Sequence, residues 1–407
     1  MRDYPRILFL ALDSPWPAYD GASLRSLGLL KELGKRYPVE LIVLSREALS
    51  AEQTSVLQKQ TQSIQNIPLR DVSLPEKALA TLFSLSRRLP YHSAVLERSF
   101  QEFPEIRQKI QQYPGLVFTS IGHWGYLIRN HPAKNWILNQ CDAEVEFWRV
   151  YATQTTNLLM RLAAVITYSL AKKMYPLIYA NVGCVISVCE EDKQLTLALS
   201  PTAHVEVIEN GVDCAYLVPD RVEHERPPRL LFTGTSVARN RIALRRFAED
   251  ILPLIRKEIP DIELLVAGRF SKRAQDGFQD IPNIKFTGLV PDIRPYFNQS
   301  DVFIAPFRET YGSKLKIAEA MSMAIPIVST LQGIRGFPLV DGQSVRIAHD
   351  DDQFARHVIE LLEDPSLRRD LGLAARELAE YFLDWPQLGI RLDKIIEEVH
   401  NEIVCHD

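Results

Sequence analysis

Short apolar runs alternate with helix-spaced patterns along almost the whole chain, and the alternation stops and restarts once. This most constrains the fold. All-apolar strands separated by helices specify parallel sheets built from β-α-β units, because both faces of each strand must be covered. In the first half the runs are Ile7 to Leu12, Val39 to Leu44, Leu116 to Phe118, Trp136 to Leu138, Val185 to Val188 and Val205 to Ile208. Helical patterns lie between them, as in Leu24 to Leu33 and Asp192 to Leu199, and the middle, Ala143 to Ala180, reads as mostly helix with a break or kink at Pro176. The polar, proline-bearing stretch Val218 to Pro228 has almost no core-forming residues and reads as an interdomain linker. The alternation then resumes with Arg229 to Gly234, a helix over Ile242 to Lys257, Ile262 to Gly268, Ile284 to Thr287, Val302 to Ala305 and Ile325 to Val328, before a helical tail broken at Pro365 and Pro386. The expected class is α/β: two doubly wound Rossmann-like domains facing across a cleft, with ligands at the carboxyl ends of the strands. The expected boundaries are 1–217, a linker at 218–228, 229–385, and a terminal helix, 386–407, that either returns to the first domain or caps the second.

A length of 407 residues is too great for one hydrophobic core, which agrees with two domains. The net charge of −4 gives no reason to expect nucleic acid as a partner. Five cysteines, an odd number without a C-x-x-C pair, argue against a disulfide framework or a zinc site and for a reducing compartment. The first residues lead straight into a strand pattern with no secretory signal, and no run is long enough to span a bilayer. The expected location is cytoplasmic. Leu158 to Leu170, interrupted by Arg161 and closed by Lys172 and Lys173, reads as a buried or amphipathic helix, or as a patch that rests peripherally on the inner membrane surface.

The chemistry concentrates in Pro306 to Met321. A buried strand is followed by a turn containing Gly312 and then by a helix pattern from Leu315. Strand, turn and helix N-terminus form a cradle for an anion, since the first-turn N–H groups are unpaired and the helix dipole favours negative charge there. Lys314 and Lys316 sit in that first turn, where cations are otherwise mildly disfavoured. Glu319 lies about one turn further on and can accept from two hydroxyls at once. Phosphate at one end and a sugar diol at the other is the shape of a nucleotide-sugar.

The layout and these residues resemble the retaining GT-B glycosyltransferases, specifically the bacterial polysaccharide and glycolipid enzymes of glycosyltransferase family 4. The resemblance covers essentially the whole chain. It is carried by Leu231 to Gly234, Leu265 to Arg269, Ile284 to Val290, Gly312 to Met321, Ile325 to Thr330 and Gly333 to Gly336, and in the first half by Pro15 to Gly21, Arg25, Ser187 to Asp192 and Glu209 to Asp213. Many members carry a Glu-x₇-Glu motif. Its second glutamate matches Glu319, whereas its first would fall on Tyr311, a departure for which Glu309 substitutes only in part.

The resemblance implies a glycosyltransferase that moves a sugar from a nucleotide-sugar donor to a glycan or lipid-linked acceptor, with retention, without a metal and without a cofactor. It implies that Lys314, Lys316, the Gly312 and Ser313 amides, Arg308 and Arg239 (with Arg241 in the same loop) hold the donor diphosphate. Glu319 would hold the ribose, with Gly234, Thr235, Gly268 and Arg269 around the nucleoside. The loop bearing Gly21, with Arg25 on the helix facing it and with Glu309 and Tyr311, would touch the transferred sugar and acceptor. His123 and Asp142, with Glu144 beside it, are the candidate catalytic groups of the first domain, and Cys141 stands where relatives often show a histidine. Two other readings remain open at this stage: a nucleotide-sugar epimerase on the same fold, and a non-catalytic nucleotide-sugar-binding protein.

Overall fold

The computed structural model describes residues 4–69, 83–155, 157–220, 226–308 and 312–405. The chain forms two compact units. The first comprises residues up to Glu209 together with those from Gly389 onward, and the second runs from Asn210 to Leu388.

In the first unit β1 (Ile7–Leu12), β2 (Val39–Ser45), β3 (Ser63–Pro68), β4 (Leu116–Thr119), β5 (Ala133–Asn139), β6 (Val182–Ser187) and β7 (Val205–Val207) form one seven-stranded sheet in the order β3-β2-β1-β4-β5-β6-β7. Every neighbouring pair is parallel. The helices are α1 (Gly21–Gly34), α2 (Ala51–Gln58), α3 (Tyr91–Phe100), α4 (Pro104–Gln111), α5 (Glu144–Gln154), α6 (Leu158–Asn181) and α7 (Glu190–Leu199). The order reverses between β1 and β4, which leaves a crevice at their carboxyl ends. α6 runs unbroken through Pro176. The expected break is absent because Met174, Tyr175, Ile178 and Tyr179, on both sides of the proline, are buried in the core and hold the helix against the sheet.

In the second unit β8 (Arg229–Thr233), β9 (Glu263–Ala267), β10 (Ile284–Gly288), β11 (Val302–Ala305), β12 (Ile327–Ser329) and β13 (Arg346–Ile347) form a six-stranded sheet in the order β10-β9-β8-β11-β12-β13, again parallel throughout. Here the order reverses between β8 and β11. The helices are α8 (Ala238–Arg246), continued through a π turn at Phe247–Ile251 into α9 (Leu252–Glu258), then α10 (Lys272–Gln275), α11 (Arg294–Asn298), α12 (Leu315–Ser322), α13 (Asp351–Glu363) and α14 (Pro365–Phe382). Pro365 occupies the first helical position of α14, where its missing N–H costs nothing. The last helix, α15 (Trp385–Val404), begins in the second unit and ends in the first.

The division between the units falls ahead of the expected domain end at residue 217. Cys214 and Leu217 are buried in the core of the second unit, and the Arg376 guanidinium on α14 donates to the Leu217 carbonyl at 2.9 Å. Of the expected linker, residues 221–225 lie outside the described residues. Among the described residues no helix is long and apolar enough to cross a membrane.

Candidate functional site

In the second unit the expected residues gather at the β8/β11 reversal, where a doubly wound sheet binds its ligands. β11 runs into Pro306 and the buried Phe307. The chain then returns through the buried Gly312 and Ser313 into α12, whose N-terminus carries no side-chain cap. The Ser313 hydroxyl accepts a hydrogen bond from Asn210 Nδ2 at 2.7 Å, which pins this turn from below.

Lys316, in the first turn of α12, sends its ammonium to the end of β8. It donates to the Thr233 carbonyl and, at 2.9 Å, to Asn240 Oδ1. The rings of Phe232 and Phe307 flank it, with centroids at 4.7 and 4.9 Å. The Asn240 amide is itself oriented by donating to the Thr235 carbonyl at 2.9 Å. The cation is thus held by fixed acceptors and aromatic faces rather than by bulk water. Lys314, only 4% exposed, donates to the Gln332 carbonyl at 3.0 Å and lies 5.4 Å from the Phe307 centroid. Two lysines at the start of one helix thus send their ammonium groups to the end of β8 and to the Gln332 carbonyl.

Glu319 lies on the same helix, half-buried, and its carboxylate makes no hydrogen bond or ion pair among the described residues. Burial pushes its carboxyl up to about 7, partly countered by the Lys316 charge. A carboxylate kept without partners in the fold retains its full capacity to accept from a diol.

Gly234 and Thr235 close β8, and Gly268 closes β9. Gly268 has φ +121°, and a Cβ there would stand 2.0 Å from the Gly234 carbonyl oxygen. A Cβ on Gly234 would come within 2.8 Å of the Lys316 ammonium. Only glycine lets these strand ends and the ammonium approach so closely. Arg269 is exposed. Arg239 and Arg241, expected in a loop, lie instead in the first turn of α8, because the helix starts directly after Val237; Arg241 folds back to donate to the Ser236 carbonyl at 2.6 Å. Arg308 turns toward Asp351 at 3.7 Å, a carboxylate that also pairs with Arg246, and these arginines line a separate cavity of about 310 Å³ with Thr330, Gln332 and His349. Glu309 and Tyr311 lie outside the described residues.

In the first unit Gly21 is exposed as the first residue of α1, and Asp20 caps that helix through a reciprocal pair with Ser23. Arg25 is 1% exposed. Its guanidinium grips Asn139 Oδ1 with two hydrogen bonds, at 2.8 and 3.0 Å, and donates to the Glu209 carbonyl at 2.8 Å. Burial lowers its pKa to about 10. It ties α1 to the end of β5 and to the residues after β7. His123 sits in a short 3₁₀ helix, Gly122–Ile128, after β4, and its Nδ1 is 3.0 Å from Glu144 Oε1. Asp142 and Cys141 follow β5, both half-buried. Among the described residues no group of three or more His, Cys, Asp or Glu side chains could hold a metal ion.

Sequence reasoning missed the partners that position these groups: Asn240, the Phe232 and Phe307 rings, Gln332, and the pairing of Glu144 with His123. Asn240 fell in the expected loop, ahead of the helix pattern from Ile242, and carried no signal of its inward position.

Residues 227–364 match the family model described as glycosyl transferases group 1. Among curated proteins, a GDP-mannose-dependent monoacylated alpha-(1-6)-phosphatidylinositol monomannoside mannosyltransferase from Corynebacterium glutamicum is 26% identical over 47% of this chain and 56% of that protein. The chain thus spans about half the length of this relative. Among solved structures, sucrose-phosphate synthase from Thermosynechococcus elongatus superposes with a TM-score of 0.68 at 16% identity, covering 97% of this chain and 99% of that one. Anabaena HepE in complex with UDP and glucose gives 0.65 at 12% identity, covering 97% and 100%. The fold is GT-B.

Proposed function

We propose, from the premise that residues 227–364 are a group 1 glycosyltransferase domain on a GT-B fold, that this protein transfers a sugar from a nucleotide-sugar to a glycan or lipid-linked acceptor, with retention at the anomeric carbon. The observation that carries the reading is Lys316, held between Phe232 and Phe307 at the β8/β11 reversal, one helical turn from the unpaired carboxylate of Glu319. Lys316, Lys314 and the amides at the start of α12 receive the diphosphate. They stabilise the charge that grows on it as the glycosidic bond breaks, in a setting already arranged before the reaction. Glu319 accepts from the ribose hydroxyls, and Gly234 and Gly268 let the nucleoside approach the strand ends. Arg239, at the start of α8, adds a second cation to the diphosphate. These side chains do the charge work without a divalent ion. His123 and Asp142 are assigned to the transferred sugar and acceptor.

A lipid-linked acceptor is supported by the likeness to the Corynebacterium relative, a phosphatidylinositol monomannoside mannosyltransferase, and by α6. Leu158, Leu159, Met160 and Leu162 are exposed at its start, its charged residues are Arg161, Lys172 and Lys173, and it contains no acid. An apolar face bordered by cations alone suits an anionic membrane surface.

The test is a thermal-shift series with UDP, GDP and ADP and their sugars. One diphosphate raises the melting temperature of the wild type by mass action. Lys316→Ala removes that shift and slows transfer by about a hundredfold, the usual effect of deleting one donor to a developing anion. A wild type that none of these nucleotides stabilises would overturn the reading.

A further inference from the structure

The polar cluster at the carboxyl ends of β4 and β5 does more than place one histidine. His123 is 7% exposed, and Glu144, the first residue of α5, is 5% exposed. Their side chains meet at 3.0 Å through Nδ1 and Oε1. Nε2 of the same ring has no hydrogen-bond partner among the described residues. His92, on α3, lies against the other side of His123, with ring centroids 4.5 Å apart, and packs on Trp148 at 5.1 Å. Ser93 Oγ donates to the His123 carbonyl at 3.4 Å, which holds the backbone as well as the ring. Gln140 lies beside Tyr179 and is almost fully buried.

We infer that Glu144 is a positioning residue: it fixes His123 as the tautomer with hydrogen on Nδ1, so that Nε2 faces substrate as a hydrogen-bond acceptor for a sugar or acceptor hydroxyl. This rests on the proposed transfer, in which His123 meets the sugar or acceptor. An ionised carboxylate can only accept, so in the neutral ring the hydrogen must sit on Nδ1 and the lone pair on Nε2. His92 cannot take the carboxylate's place or compete for it as a cation. Burial and the neighbouring His123 drive its pKa down to about 3, so it stays a neutral wall. The arrangement gives His123 one orientation and one hydrogen-bonding sense, which a lone histidine at a strand edge lacks.

Two measurements test this. The first is nitrogen NMR of the full-length protein with labelled histidine, recorded on the neutral rings, with His123→Asn used to assign the signal. It needs no donor or acceptor. Hydrogen on Nδ1 and a bare Nε2 are expected; hydrogen on Nε2 of His123 would overturn the inference even if transfer is confirmed. The second compares Glu144→Gln and Glu144→Asp in the transfer assay. Glu144→Gln lowers kcat by tenfold to about a hundredfold, the range for a misaligned reacting group. The melting shift induced by nucleoside diphosphate stays unchanged, because the diphosphate and ribose are assigned to the second unit. Glu144→Asp, which keeps the acceptor-only group, recovers part of the rate. An unchanged kcat in a folded Glu144→Gln protein would also overturn it. If no transfer is found with any donor, the proposed function fails while the NMR result still decides the tautomer.

Discussion

At the scale of single residues, the site is built from charges whose surroundings differ. Lys316 is held by oxygen acceptors and aromatic faces, whereas Glu319 has no hydrogen-bond or ion-pair partner among the described residues, and burial lifts its carboxyl to about 7 from an ordinary value of 4.5. The folded value lies above the unfolded one, so the folded state binds the proton more tightly. The resulting stability is fully present below 4.5 and is lost as pH rises through about 7. Glu319→Gln removes this dependence. Urea midpoints measured at about pH 5 and about pH 8 should fall more for the wild type than for Glu319→Gln. An equal fall in both proteins would remove Glu319 as the source. If Glu319 accepts from the ribose as proposed, nucleotide binding should release a proton near neutral pH, and the variant should lose affinity. The clustering of Lys314, Lys316 and Glu319 was legible in the sequence because they lie within six consecutive residues at the start of α12. Arg25 and the Glu144–His123 pair were not legible. A guanidinium that reaches across 114 residues to Asn139, or a carboxylate that meets a ring from another element, leaves no periodic trace.

At the scale of elements, the buried strands and the edge strands β7 and β10 were legible in the sequence, whereas the edge strands β3 and β13 were not. β1, β2 and β6 are almost wholly buried runs of apolar residues. β3, at the sheet edge, reads Ser63-Ile64-Gln65-Asn66-Ile67-Pro68 with only Ile67 buried, and its proline suits an edge where one backbone face is unpaired. β13 is two residues long, too short for any pattern. α6 is the element whose sequence and surface agree most closely on a role outside the core. Its inner face carries Ala164, Thr167, Ala171, Met174 and Ile178, while its first turn holds apolar side chains in solvent. Leu159, 78% exposed, and Leu162, 58% exposed, contribute little to the core. Replacing both by Asp should leave the melting temperature unchanged and weaken co-sedimentation with phosphatidylglycerol-containing vesicles by about tenfold or more. Phosphatidylcholine vesicles should bind neither protein well. Wild-type protein that ignores anionic vesicles would dismiss the contact.

At the scale of the whole molecule, two sheets with separate hydrophobic cores make the chain a poor candidate for a single two-state transition. Scanning calorimetry should resolve two events, or a calorimetric enthalpy above the van't Hoff value. The stabilising nucleoside diphosphate should raise the event belonging to the second unit, by about 2.7 kcal/mol at a hundredfold excess over Kd. Lys316→Ala should abolish that rise and leave the other event in place. A single sharp transition that moves as one with nucleotide would show that the cores melt together.

The last helix adds an order of events. Gly183, in β6 of the first unit, lies against Val399 of α15, and Arg391 on that helix pairs with Glu209 at 2.6 Å. Tyr37 donates to Asp393 from the same unit. During translation the ribosome therefore makes the first unit nearly complete, then the entire second unit, and only afterwards the helix that the first unit still lacks. A nonsense codon at position 389 would leave the second unit whole and strip the first of its closing helix, so a lesion late in the message acts on a part made earlier.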